Sequence, residues 1–164
     1  MIFRVGIGYD VHKIDLLNKE SKPLVLGGIK ISDEIRLIAH SDGDVLIHAI
    51  CDAILGAANL GDIGLIYPNT NENYKNYKST IFLRKINKVL IKKGFTIVNI
   101  DSTIILENPK LSFFYNKIKK NLSKILTIEP KKISIKATTN EGIGFIGRGE
   151  GIAAIAVVLL EKNN

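Results

Sequence analysis

The chain has three histidines, and each lies two to four residues from an aspartate. One is in "GYDVH"; the other two are in "AHSDGDVLIHAICDAILG", Ala39 to Gly56. Residues 2–11 alternate as a strand does, so Asp10 and His12 are predicted to point to the same side. Asp44, His48 and Asp52 recur every four residues. That spacing puts them on one face of a helix predicted over 42–57, opposite Leu46, Ile50, Ala53, Ile54 and Ala57. One carboxylate and one imidazole from the strand, with one imidazole from the helix, make the three-ligand set that catalytic zinc takes, with a fourth position open. A lone "DVH" is more often a plain strand end; the clustering favours a metal site if strand and helix meet. His40 can be a fourth ligand or a substrate contact. The second is preferred, because a closed site leaves no catalytic vacancy. Ser41 or Asp42 is expected to cap the helix, and capping explains Asp42 and Asp44 as well as a functional role does. Leu55 interrupts the polar face and is expected to cover the end of a pocket.

"KATTNEGIGFIGRGEG", Lys136 to Gly151, holds five glycines. Such a turn lets backbone approach a ligand closely and can bind phosphate through free N–H groups. No Gly-Lys-Ser/Thr follows, so it is not a P-loop. Thr138 and Thr139 offer hydroxyls, Glu141 a hard oxygen ligand for magnesium, and Arg148 a phosphate fork. A flexible hairpin between two strands is the competing reading. Lys110, in "ENPKL", meets a phosphate or is simply solvated.

These groups must be positioned by a small set of elements. Residues 13–23 read as a polar loop. "LVLGGIKI" reads as two short strands broken at Gly27 and Gly28. Residues 61–78 read as a long loop of the functional or mobile kind. A helix is predicted over 79–93, with Ser79 as N-cap and Gly94 as the stop. Strands are predicted at 95–106, 132–138 and 152–161, and a helix at 110–126 behind Pro109. The expected fold is α+β: one domain over 1–164, with a mixed sheet and helices on one face. "GIAAIAVVLL" is apolar at nearly every position, so that strand is expected to be covered on both faces, by helices on one side and by another subunit on the other.

The chain has 164 residues, 46% of them apolar, enough for one stable core. One cysteine, Cys51, excludes an internal disulfide and fits a reducing compartment. No apolar run reaches membrane-spanning length, and no signal peptide is expected at "MIFRVGIGYDVH". The expected location is the cytosol, with no membrane partner. The net charge of +7 includes lysines on predicted exposed helix faces, such as Lys117 and Lys124, and lends weak support to a phosphorylated substrate.

Together, "GYDVH", "LGG", "AHSDGDVLIHAICDAILGAANLGDIG", "YPN", "DSTIILENPKL" and "KATTNEGIGFIGRGEGIA" resemble, in order and over almost the whole chain, the 2-C-methyl-D-erythritol 2,4-cyclodiphosphate synthases of the non-mevalonate isoprenoid pathway. The resemblance implies zinc on Asp10, His12 and His48, and magnesium or manganese on Glu141 with the diphosphate. It implies that His40 and Thr139 stabilise the transition state and that Ser41 lies beside a substrate phosphate. Asp62 and Gly64 fall near the methylerythritol unit, and Tyr67 of "YPN" falls among the substrate-binding residues. Leu106, Pro109, Lys110, Ala137 and Thr138 fall on the cytidine pocket. It further implies a homotrimer with active sites between subunits. Phe145, Arg148 and Glu150 would lie near the threefold axis, where some members hold an isoprenoid diphosphate. Three positions depart from the common pattern: Asn69, Asn140 and Ile146. None is a presumed zinc ligand.

The implied reaction is intramolecular. The 2-phosphate of a cytidine-diphosphate-methylerythritol attacks the β-phosphorus, and CMP leaves. The nucleophile is already an anion, so no strong base is needed. This suits a sequence with no Ser-His-Asp triad and with Cys51 in an apolar context. The difficulty is bringing two anions together; divalent cations, Lys110 and backbone donors would offset it. A zinc phosphohydrolase is the rival enzyme class. A nucleic-acid module is the rival outside enzymes, but it would need aromatics interleaved with Lys and Arg, and "NENYKNYK" is the only candidate.

Overall fold

The computed structural model describes residues 2–17, 21–68, 70, 74 and 76–162. Asn69 and parts of the 13–23, 61–78 and "NENYKNYK" stretches lie outside them. Six strands form one mixed sheet: β1 (Ile2–Ile14), β2 (Lys22–Leu26), β3 (Ile29–Ile38), β4 (Phe95–Ile105), β5 (Ile133–Thr138) and β6 (Gly151–Lys162), in the order β2-β3-β1-β6-β4-β5. Among the described strands only β4 and β5 pair in parallel, and the helical segment between them supplies the crossover that parallel neighbours need. The helices are α1 (Val45–Ala58), α2 (Ile63–Ile66), α3 (Ser79–Lys92), α4 (Tyr115–Leu126) and α5 (Gly144–Gly147). This is the mixed-sheet α+β architecture the sequence predicts.

β1 carries the division of labour in its alternation. Its odd positions Phe3, Val5, Ile7, Tyr9 and Val11 stand on one face and are exposed. The opposite face holds Gly6, Gly8, Asp10 and His12, and α1 packs on it. A Cβ at Gly8 would sit 2.0 Å from the Ala49 carbonyl oxygen, and one at Gly6 would sit 2.0 Å from that of Ala53. The two glycines, met by Ala49, Ala53 and Ala57, let the helix backbone lie directly on the strand.

α1 is held at its other end by a turn. Gly27 and Gly28 both have positive φ, 58° and 74°, the two-residue geometry that joins β2 to β3 with the right twist. Their N–H groups donate to Asp44 Oδ1 and Oδ2 at 2.9 and 2.6 Å, and Asp44 Oδ1 also accepts from Ile47 N at 3.0 Å. Asp44 therefore caps α1, the role that the sequence reading left open among Ser41, Asp42 and Asp44. It is fully buried, and burial, with the Asp42 charge adding, raises its pKa to about 6 against the pull of the three N–H donors. Asn121 Nδ2 donates to Gly27 O at 2.7 Å, tying the same turn to α4.

Several boundaries differ from expectation, each for a physical reason. α1 is buried almost all round, Leu55 included, because the sheet, α3 and the β2–β3 turn enclose it; Leu55 does not line the open cavity beside His48. β1 and β3 run on to Ile14 and Ile38, because Lys13 and Ile14 pair with Ile38 and Leu37. The 61–78 stretch contains the single turn α2, too short to show periodicity. α3 begins without a cap from the Ser79 side chain; Asp42 Oδ2 accepts the Ser79 N–H at 2.9 Å instead. Gly94, at φ 78°, ends α3 as predicted. The expected 110–126 helix opens with a 3-10 turn over Ser112–Phe114 before α4. The glycine-rich turn is not a hairpin, since β4 lies between β5 and β6 in the sheet. β6 is covered by α1 on one side, and Val157 is exposed on the other.

Candidate functional site

The close seating of α1 on β1 brings His48 to the strand. His48 Nδ1 lies 2.8 Å from Asp10 Oδ2 and 3.2 Å from His12 Nε2, and the last two atoms are 3.1 Å apart. Among the described residues, this is the one group of three such side chains whose donor atoms lie within 4.8 Å of one another. Tetrahedral zinc bonded at about 2.0–2.1 Å spaces its donors about 3.3 Å apart. The observed triangle, of two imidazole nitrogens and one carboxylate oxygen, fits a divalent metal ion.

The electrostatics of the three groups are coupled. Burial raises the pKa of Asp10, but hydrogen bonds and charge from His12 and His48 outweigh it and hold the carboxyl well below its usual range. Burial opposes a charge on His48, yet Asp10, and then Asp44 and Asp42, raise its pKa above the ordinary value.

The triad lies on the wall of an open cavity of about 600 Å³, within the size range of small-molecule sites. His40, Ser41, Gly64 and Tyr67 share this wall, as does Asp52. The His40 Nε2 atom is buried and has no partner among the described residues; such an atom calls for one. Asp52 accepts the Ile63 N–H at 2.8 Å and so anchors α2 against α1. Asp62 caps α2 by accepting the Leu65 N–H at 2.8 Å and does not line the cavity. Cys51 is fully buried; burial, then Asp52 and Asp44, push its thiol far up, so it offers no nucleophile.

A second hollow, of about 310 Å³, lies between the ends of β4 and β5 and the start of α4. Leu106, Pro109, Lys110, Ala137, Thr138 and Thr139 line it, and the Asn108–Pro109 bond there is cis. Among the described residues, it shares none with the first cavity. The backbone of the glycine-rich turn is held by Glu107 Oε1, which accepts the Asn140 N–H at 2.8 Å. Glu141 accepts from the Thr139 hydroxyl at 3.0 Å and stands apart from the triad. Phe145 lines a third hollow with Val11, His12, Lys13, Glu150 and Gly151. Arg148 grips Glu150 through two parallel bonds of 2.8 and 3.0 Å. Ile146 is buried, and the Asn140 amide donates to Ile143 O, so both departures are absorbed by local structure.

Sequence reasoning missed three features. Phe82 and Tyr74, with Tyr67, form an aromatic wall of the first cavity, with Tyr67 and Phe82 centroids 4.4 Å apart. Ser79 turns its hydroxyl to His48 at 2.8 Å. The "helical-face" aspartates turn out to be structural links: Asp44 to the β2–β3 turn, Asp52 to α2.

Residues 3–161 match the model of the YgbB family. A protein of Clostridium botulinum (strain Okra / Type B1), named 2-C-methyl-D-erythritol 2,4-cyclodiphosphate synthase, is 49% identical over 158 residues, 96% of this chain and 99% of that one. Among solved structures, the bifunctional IspDF from Campylobacter jejuni superposes with a TM-score of 0.93 at 41% identity, covering 99% of this chain and 43% of that one. The IspF CDP complex from Plasmodium falciparum superposes with a TM-score of 0.86 at 41% identity, covering 99% and 97%.

Proposed function

The chain belongs to the YgbB family, and from that premise we propose how its residues divide the work. The reaction is that of the named relatives: 4-diphosphocytidyl-2-C-methyl-D-erythritol 2-phosphate becomes 2-C-methyl-D-erythritol 2,4-cyclodiphosphate and CMP. A 2-phosphate oxygen bonds to the β-phosphorus as the β-phosphorus–oxygen bond to CMP breaks, so no water is consumed. The enzyme is a phosphorus–oxygen lyase of non-mevalonate isoprenoid biosynthesis. The observation that carries this reading is the convergence of Asp10, His12 and His48 on one point at the wall of the cavity.

In our reading those three residues hold zinc, and Glu141 holds magnesium or manganese with the diphosphate. The bound cations would supply Lewis-acid neutralisation of the phosphates. The protein does the rest. His40, with its unpartnered buried Nε2, donates to a phosphate oxygen at the charged stage of the reaction, and Ser41 lies beside the same phosphate. Thr139, from the second hollow, is the other transition-state donor. Gly64, Tyr67 and Asp62, the last by holding α2, shape the seat of the methylerythritol unit. Leu106, Pro109, Ala137 and Thr138 seat the cytidine, and Lys110 offsets diphosphate charge. The CDP complex of the Plasmodium falciparum relative supports a nucleotide pocket. Holding both ends of one substrate converts the attack into a proximity-driven step.

The two hollows share none of the described residues, and the outer face of β1 and β6 is apolar and exposed at Val5, Ile7, Tyr9 and Val157. Both features support a homotrimer in which this face is buried and each active site joins the first cavity of one subunit to the second hollow of its neighbour. Phe145, Arg148 and Glu150 then lie by the threefold axis. We take residues 1–164 as one catalytic domain. Among the described residues, no helix is long and apolar enough to cross a membrane; a cytoplasmic setting, with no nucleic-acid partner, is our reading of the composition.

The product decides the reaction class. In oxygen-18 water, cyclisation releases CMP and a cyclic diphosphate free of label; label entering the released phosphate would identify a hydrolase and overturn the reading.

A further inference from the structure

The assignment of His48 as a metal ligand leaves its second ring nitrogen to be explained, and any role for that nitrogen rests on the same assignment. Nδ1 faces Asp10 and His12, whereas Nε2 points into the protein. There it meets Ser79 Oγ at 2.8 Å and, less closely, Ser41 Oγ at 3.3 Å. Ser79 opens α3 and is fully buried. Its hydroxyl is in short contact with Asp42 Oδ1, while Asp42 Oδ2 takes the Ser79 N–H. Capping of α3 accounts for the second of these bonds but not for the first. Nor does it account for the hydroxyl's place between a carboxylate and an imidazole.

The directions of these bonds come from the groups themselves. A carboxylate only accepts, so the single hydroxyl proton of Ser79 goes to Asp42. The Ser79 oxygen then has only lone pairs left for His48. Nε2 must carry the proton, and the lone pair stays on Nδ1, the nitrogen that faces Asp10 and His12.

We propose that Asp42 and Ser79 form a relay that fixes His48 as the Nε2–H tautomer and aims its Nδ1 lone pair at the metal. Both are positioning residues: neither belongs to the Asp10–His12–His48 cluster, and neither lines the cavity. Outer partners of this kind orient a ligand histidine and raise its basicity, and losing one costs about 10–100-fold in metal affinity. The relay also joins the metal ligand to the first turn of α3, whose Phe82 lines the same cavity.

The test uses the zinc-loaded full chain. In the wild type, a long-range proton–nitrogen NMR correlation should show His48 with a slowly exchanging proton on Nε2 and the metal on Nδ1. Ser79→Ala keeps the backbone bond that caps α3. It should retain the wild-type circular dichroism, lose the slow exchange at Nε2, and bind zinc about 10–100-fold more weakly in a chelator competition. Zinc on Nε2 in the wild type would overturn the relay, whether or not the variant folds. So would a Ser79→Ala protein that binds zinc as tightly as the wild type. A wild-type chain that binds no zinc would instead remove the metal assignment on which the relay rests.

Discussion

His48 Nδ1 stands 2.8 Å from Asp10 Oδ2 although 38 residues separate them in the chain. The contact exists because Gly6 and Gly8 let α1 lie on β1 without an intervening layer of side chains. Metal binding at the proposed centre would therefore depend on a packing distance as well as on the ligands.

Gly8→Ala tests that dependence. The added Cβ would fall 2.0 Å from the Ala49 carbonyl oxygen, so the helix next to His48 must retreat. Loss of about 3 kcal/mol of stability is expected, with weaker zinc binding although no ligand has changed. Denaturant unfolding and a zinc titration measure the two effects.

The pH dependence has a definite sign. His48 has a pKa raised above 6.5 in the folded chain. Its pairing with Asp10 therefore stabilises the metal-free protein fully below that value and is lost as pH rises through the raised one. Asp10 is depressed below 3.8, so its share is present above that value and is lost as pH falls through the depressed one. Zinc must displace the proton from His48, and its grip strengthens as pH rises. The rise in Tm on adding zinc should be larger at about pH 8 than at about pH 6. An equal or smaller rise at the higher pH would mean that His48 is not a ligand.

Ile7 is 70% exposed at the centre of the apolar face of β1, yet the triad lies on the other side of the same strand. Ile7→Glu should release monomers, seen by native mass measurement, with zinc still bound to each chain. Turnover should fall by about 100-fold or more, since in the proposed trimer the two halves of the active site come from neighbouring subunits. Full activity in a monomer would refute the shared site.

The convergence of Asp10, His12 and His48 was legible because the sequence put Asp10 and His12 on one side of a strand and His48 on the face of a helix opposite its apolar stripe. Strand alternation likewise exposed the two characters of β1. The roles of Asp42 and Asp44 were not legible, because which one caps α1 depends on N–H groups delivered by Gly27 and Gly28 from a distant turn. Ser79 reads as a cap in any local window; its hydroxyl is claimed by His48, 31 residues away. The glycine-rich turn resembles a hairpin until the sheet order places β4 between its flanking strands.

Metal analysis of the purified full chain beside His48→Ala tests the metal centre most directly. One zinc per wild-type chain, with zinc and turnover lost together in the variant, is the expected result. A His48→Ala protein that kept both its zinc and its activity would contradict it.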